Sequence, residues 1–357
     1  MRKHVENFII NVSSNDATTN MLRLYFEKSV ANILDTLHCI GLFGSNIRFI
    51  MLPDFTFSKN EYRLSAGITN GTIMQLDTNG VPFVPIEFRP NCCGVTLGKI
   101  KKWNGNIDDI FRRMKYLKDI LKNNINVVDM CKSNHFLGIY WDKIENEYYI
   151  LLHCSFDFVK AGTNEVPGLY PERTNHWASH INKSSTIPFL IGEVAEQYFQ
   201  VYKQHEINTK KIRRLIIETL FPNIETIFNE THEGFHDIST FIYGAYVSSD
   251  SFFAPIMLSQ EQSLPLIQTV KVVDGINLYC SPHGGGYSIN NIVMGNYNAT
   301  TNWFEINFNN DVKSYVSDIR SLEHSYRTDT ANIWSNEYGF SETLKELIPL
   351  YNIKLAI

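Results

Sequence analysis

This sequence has little that would staple a fold covalently or seat it in a membrane. Its six cysteines, Cys39, Cys92, Cys93, Cys131, Cys154 and Cys280, are sparse for 357 residues, and no two form a Cys-x-x-Cys pair. That argues against a disulfide framework and predicts free thiols in a reducing compartment. No apolar run approaches the roughly 18 residues needed to cross a bilayer. The opening stretch, MRKHVENFIINVSSND, lacks the apolar core of a secretory signal. The expected location is the cytoplasm, with no membrane partner. Internal repeats, low-complexity tracts and Gly/Ser/Pro linkers are also missing, which argues against a solenoid or a string of tethered modules.

Positive charge is not in excess either. Thirty-two Lys and Arg face 37 Asp and Glu, a formal net charge of −5, so wholesale polyanion binding is not expected. Two local basic stretches remain, KIKKWNGNIDDIFRRMKYLKDILK (99–122) and TKKIRR (209–214). Each reads first as the solvated face of a helix, and each is compatible with a local nucleic-acid groove.

What is present is core-forming material: 44% of residues are hydrophobic and 13% aromatic. Apolar spacing predicts helices over residues 16–37, capped by Asp16 or Thr18, over 107–124, and over 193–220, closed by Pro222. NIRFIMLPD reads as a buried strand stopping at Pro53, and EYYILLHCSFDF as another strand. GITNGTIMQL and GVPFVPIEF read as short strands around a DTNG turn. The chain then reads as β-rich to about residue 310, with a last short helix over SETLKELIPL (341–350). Residues 160–188 read as a long loop holding His176 and His180. Helices and strands are interspersed without a βαβ rhythm. This predicts a mixed α/β, that is α+β, fold: one large domain over residues 1–357 with central sheets flanked by helices.

Four places combine borderline metal ligands with strand-end or turn context: RPNCCGV (89–95), SNHF (133–136), LLHCSF (151–156) and FNETHEGFHD (228–237). Cys with His suits Zn, Mn, Fe or Co, and such wide spacing means that the fold must assemble any site. Each also has a plain reading, as a hydrogen-bonded core histidine or a pair of small buried thiols. In LYCSPHGGGYSI (278–289), His283 stands against three glycines. A histidine there can ligate metal, carry a proton or attack phosphorus. Taken alone, these residues reach no further than a metalloenzyme.

Taken in order, they resemble the RtcB-type RNA-splicing ligases from about residue 50 to the end. MLPD, with Asp54, is similar to that family's Met-Pro-Asp element, and FRPNCCGV to its Asp-Ile-Asn-Cys-Gly-Val stretch. SNHFL resembles its Asn-His-Phe-Leu motif, LLHCSFDF its histidine-bearing strand, and NETHEGF its His-Asn element. HGGGY resembles its His-Gly-Ala-Gly-Arg, and IPLYNIKLAI its Pro-Leu-x-x-x-Lys tail.

The resemblance implies a GTP- and Mn(II)-dependent ligase with two Mn(II) ions. Such a ligase joins RNA 3′-phosphate or 2′,3′-cyclic phosphate ends to 5′-hydroxyl ends through a histidine–GMP intermediate. By matching position, His283 is the nucleophile. Cys93 or Cys92, His135, His153 and His232 (with His236 as the alternative to His232) are metal ligands. Asn134, Gly284 and Gly286 lie against phosphate, and Lys354 contacts guanine. RNA ends and GTP are the implied partners, and a protein helper is left open.

The chain also departs from the pattern. Arg89 or Pro90 stands where the family keeps a metal-binding Asp, Gly138 where it keeps an acid, and Tyr287 where it keeps an Arg. These departures predict that one metal loses a carboxylate and meets a cation at Arg89, with Glu87 as the nearest substitute acid. They also raise two alternatives: an RtcB-like protein that binds nucleotide or RNA ends without joining them, and a metal-dependent phosphohydrolase on the same scaffold.

Overall fold

A computed structural model describes residues 5–122, 128–129, 134–183, 186–259, 261–309 and 312–354. Cys131 and Ser133 of the motif-bearing segments lie outside the described residues, as do the last three residues of the C-terminal tail. Two sheets dominate, and the fold is mixed α+β as the sequence predicts. The larger sheet is antiparallel and runs, in spatial order, through Glu225–Thr231, Gly94–Ile100, Glu147–Phe156, Phe136–Asp142, Ser341–Ile353, Leu264–Thr269 and Phe253–Pro255. The second sheet has five strands in the order Ile9–Asn11, Arg48–Phe57, Thr69–Gln75, Thr240–Tyr243 and Glu233–Asp237.

The helices form where the spacing places them. Ala17–Cys39 starts at Asp16, whose carboxylate accepts the Thr19 N–H at 2.8 Å, and it buries Met21, Leu22, Phe26, Ile33 and Leu37. Glu193–Leu220 buries Ala195, Tyr198, Tyr202, Thr209, Arg213 and Ile217 along one stripe that packs on the larger sheet. Among the described residues, no helix is long and apolar enough to cross a membrane.

Two expectations are corrected. The strand expected to stop at Pro53 runs on to Phe57. A register shift between Met51 and Thr56 places Pro53 and Asp54 in a bulge, where a missing N–H is tolerated. The stretch expected as a short helix over 341–350 is part of the strand Ser341–Ile353. Its Glu, Leu and Lys favour a helix locally, but it pairs with Leu264–Thr269 on one side and Phe136–Asp142 on the other. Pro349 again sits at a register shift.

The long strand carries a testable load. Leu347 is fully buried opposite Leu264, whereas Leu344 is 53% exposed. Leu347→Ala should cost about 2–5 kcal/mol in urea unfolding and Leu344→Ala under about 0.5 kcal/mol. Equal losses would contradict the pairing.

Candidate metal centre

Four neighbouring strands of the larger sheet bring a ligand to the same level. Cys93 immediately precedes Gly94–Ile100, and His135 immediately precedes Phe136–Asp142. His153 lies within Glu147–Phe156, in register with both Val95 and Phe136. His232 follows Glu225–Thr231 directly, where the chain leaves this sheet for the five-stranded one, and its N–H donates to the Cys93 carbonyl at 2.9 Å.

The side chains converge from that row. Cys93 Sγ lies 3.1 Å from His135 Nε2 and 3.2 Å from His153 Nε2, and these three donor atoms fall within 4.8 Å of one another. His153 Nε2 is 3.3 Å from His232 Nε2, which lies outside that triad. His153 Nδ1 donates to the Asn134 carbonyl at 3.0 Å, which fixes the tautomer and leaves Nε2 as the ligand atom. One thiol and two imidazoles with a fourth position open suit a divalent ion of borderline softness. His236 and Cys92 are not in the group. Cys92 packs into the apolar core on the other side of the chain.

Burial sets the resting charge of the cluster. It pushes the Cys93 thiol pKa well up, with the Glu233 and Cys154 charges adding and Arg213 opposing. It holds His153 and His232 well below 6.5, helped by neighbouring histidines and Arg213. The imidazoles are therefore neutral and ready to ligate, while an ion must displace the thiol proton.

His283 enters from another sheet. It follows the strand Leu278–Pro282 and is 2% exposed, and its ring lies 4.6 Å from that of His232. Its Nδ1–H donates to Asp54 Oδ2 at 2.7 Å, and the Gly284 N–H donates to the same oxygen at 3.0 Å. Nε2 then carries the lone pair, beside Gly285. In the sequence Asp54 stands out only as part of the MLPD motif, and nothing there pairs it with a histidine 229 positions away.

The glycines divide their work. A Cβ on Gly284 would strike the Met257 backbone, and one on Gly286 would lie 2.4 Å from the Asp54 carbonyl oxygen. These two are buried for packing, and the Gly284 N–H is committed to Asp54 rather than open to phosphate. Gly285 is the one that lines the cleft, with Asn134, Phe136, His153, Met257 and Tyr326. The cleft is narrow, with open room for about one water molecule. Lys354 lies one residue beyond the Ile353–Leu137 pair, which sets it beside Phe136 on the strand next to the His135 ligand.

The departures resolve locally. Arg89 does not face the cluster: it is 4% exposed, pairs with Glu87 at 3.1 Å and with Glu172, and lies over the Tyr62 ring at 3.6 Å. Glu87 is thereby occupied and is no substitute ligand. Tyr287 is buried in a stack with Phe57 at 5.7 Å and Tyr326 at 4.9 Å, with Lys59 Nζ 4.5 Å from its ring centre. His176 and His180 are exposed and are not part of the triad. No protein-family model matches the chain, and no curated protein matches it significantly.

The buried histidines make a pH prediction. Their folded pKa values lie below the unfolded value of 6.5, so the unfolded chain binds more protons once pH falls past that value. Stability of the metal-free protein is then full above about pH 6.5 and drops on acidification by about 1.4 kcal/mol per pH unit per histidine. Urea midpoints between about pH 7.5 and about pH 5.5 measure the slope, and His153→Gln with His232→Gln should flatten it. An unchanged slope in the double variant would reject this origin.

Proposed function

We propose that this chain is a metal-dependent RNA ligase of the RtcB type that forms a covalent histidine–GMP intermediate on His283. One observation carries the reading. Cys93, Asn134, His135, His153, His232 and His283, each assigned from the resemblance and scattered over the chain, meet in one buried cluster, of which Asn134 and His153 line a narrow cleft. Packing alone gives no reason for five buried metal-competent or nucleophilic side chains to gather there.

The residues suit the chemistry. His283 Nε2 carries its lone pair beside Gly285, which lines the cleft, while Nδ1–H is held by Asp54. Attack of Nε2 on the α-phosphorus of GTP forms a P–N bond and breaks the P–O bond to pyrophosphate. The ring gains positive charge in that step, and the buried Asp54 carboxylate stabilises it without taking the proton. GMP then passes to an RNA 3′-phosphate, and a 5′-hydroxyl displaces it to seal the strand. An ion on Cys93, His135 and His153 would neutralise phosphate charge. Asn134 orients phosphate from the cleft wall, and Lys354, a strand away, reaches the base. The reading takes Mn(II) and GTP as cofactors and RNA ends as substrate.

The test is transfer of label from GTP labelled at the α-phosphate. Wild type with metal should acquire an acid-labile adduct, His283→Ala none, and Asp54→Asn about a thousandfold less per unit time. Absence of label on wild type defeats the ligase reading. GTP or RNA-end binding retained without label would favour a binding protein.

A further inference from the structure

Resting on the ligase reading for the identity of the ligand, we propose a second contact with the RNA strand, outside the cleft. The Lys59 ammonium, held against the Tyr287 ring by His324, binds an internal phosphodiester of the strand whose end lies in the cleft.

The first ground is a cation held by neutral groups. Lys99, Lys203, Lys210 and Lys345 each meet a carboxylate. Among the described residues no carboxylate is within ion-pair reach of Lys59, whose Nζ lies instead 2.5 Å from His324 Nε2. The His324 Nδ1–H donates to the Leu322 carbonyl at 2.7 Å, so Nε2 carries the lone pair and accepts from the ammonium. The Tyr287 ring centre is 4.5 Å from Nζ and that of Phe57 5.7 Å. The nearest guanidinium, that of Arg320, donates to the Lys59 carbonyl at 3.1 Å and is otherwise engaged by Asp318 at 2.6 Å. Burial and the Arg320 charge together lower the Lys59 pKa, as expected of a positive charge that its surroundings leave uncompensated. An arriving anion would have no partner acid to displace.

The second ground is place. Lys59 is exposed and lies two residues past the strand Arg48–Phe57, which carries Asp54. Tyr326 forms part of the cleft wall and is itself partly exposed. It pairs in register with Tyr287, and the two rings are 4.9 Å apart. One ring, that of Tyr287, therefore separates the ammonium from the cleft wall. A strand with its terminal phosphate in the cleft would leave past Tyr326, where a base can stack, and bring a following phosphate to Lys59. One ammonium among aromatic rings suits a phosphodiester with bases beside it, whereas a triphosphate would call for several donors. The contact supplies affinity and positioning and takes no part in the chemistry.

Binding of a fluorescent single-stranded RNA of about ten nucleotides, followed by anisotropy with the full chain and without GTP, reads the contact directly. The RNA is used in two forms, one ending in a 3′-phosphate and one in a 3′-hydroxyl. Lys59→Gln should weaken binding of both forms about tenfold and lower the slope of log affinity against log salt by about 0.7, the share of one single-strand phosphate. Lys59→Arg should restore affinity and slope. Lys28→Gln removes a cation held elsewhere, by the Tyr297 hydroxyl and Asn302, and should change neither. An unmoved salt slope in Lys59→Gln, an equal loss in Lys28→Gln, a loss confined to the 3′-phosphate form, or a wild type that binds neither RNA overturns the inference. Histidine guanylylation is read separately. RNA bound through Lys59 without label on wild type defeats only the ligase reading, and label on wild type with RNA affinity unmoved by Lys59→Gln defeats only this one.

Discussion

The centre depends on a turn that two buried guanidiniums clamp by its carbonyls. Between Phe88 and Cys93 the chain passes twice through the left-handed region, at Arg89 (φ 48°) and Cys92 (φ 54°). Each such residue costs on the order of 1 kcal/mol or more without a glycine to relieve it. Arg63 donates to the Phe88 carbonyl at 3.0 Å and to that of Arg89, and Arg213 donates to that of Cys92. The Asn91 side chain accepts the Cys93 N–H at 2.8 Å. The reversal at Cys92 sends two adjacent cysteines to opposite addresses, Cys92 into the core and Cys93 to the histidines. Removing either arginine would leave buried carbonyls without donors, at about 1–3 kcal/mol each.

The clamp explains why the centre lies at a seam between sheets. Cys93 and His232 are joined through their backbone, and His232 is also where the chain crosses to the five-stranded sheet. Gly244 lies at the matching crossing on the neighbouring segment. Its N–H donates to the His232 carbonyl at 2.8 Å, its carbonyl accepts from the His283 N–H at 3.2 Å, and a Cβ there would press the His283 ring at 3.0 Å. His232 and His283 are therefore set by one short run of backbone bonds. A local shift of the Cys92 turn would reach His283 through His232 and Gly244 without crossing any side-chain packing.

Much of the fold was legible because its long elements have strong periodicity. Helices Ala17–Cys39 and Glu193–Leu220 fall within two residues of their sequence reading, and the histidine-bearing strand Glu147–Phe156 lies within the stretch predicted for it. The misread elements are those where pairing overrides local preference, at Pro53 and in Ser341–Ile353. Candidate ligands were legible by type, yet their meeting was not, since Cys93, His135, His153 and His232 owe their proximity to strand register. Arg213 was invisible for a further reason. Within TKKIRR it reads as a solvated helix cation, and only the helix phase turns it inward while Lys211 and Arg214 stay exposed.

The three glycines after His283 look, in sequence, like an anion-binding loop, and the geometry redistributes that role. Gly284 and Gly286 are required because neighbouring backbone lies within contact of their Cα atoms, and the Gly284 N–H is directed at Asp54. The Tyr287 side chain lies in an aromatic stack rather than in the cleft. On the proposed ligase reading, phosphate charge in the cleft would have to be met by an ion on the Cys/His cluster, by Asn134 and by Lys354. A phosphate site with so few fixed cations would depend more heavily on a metal than one that also presents an arginine. For the proposed histidine chemistry the Asp54–His283 pair would be indispensable, because Asp54 is the acid that the structure places on that imidazole.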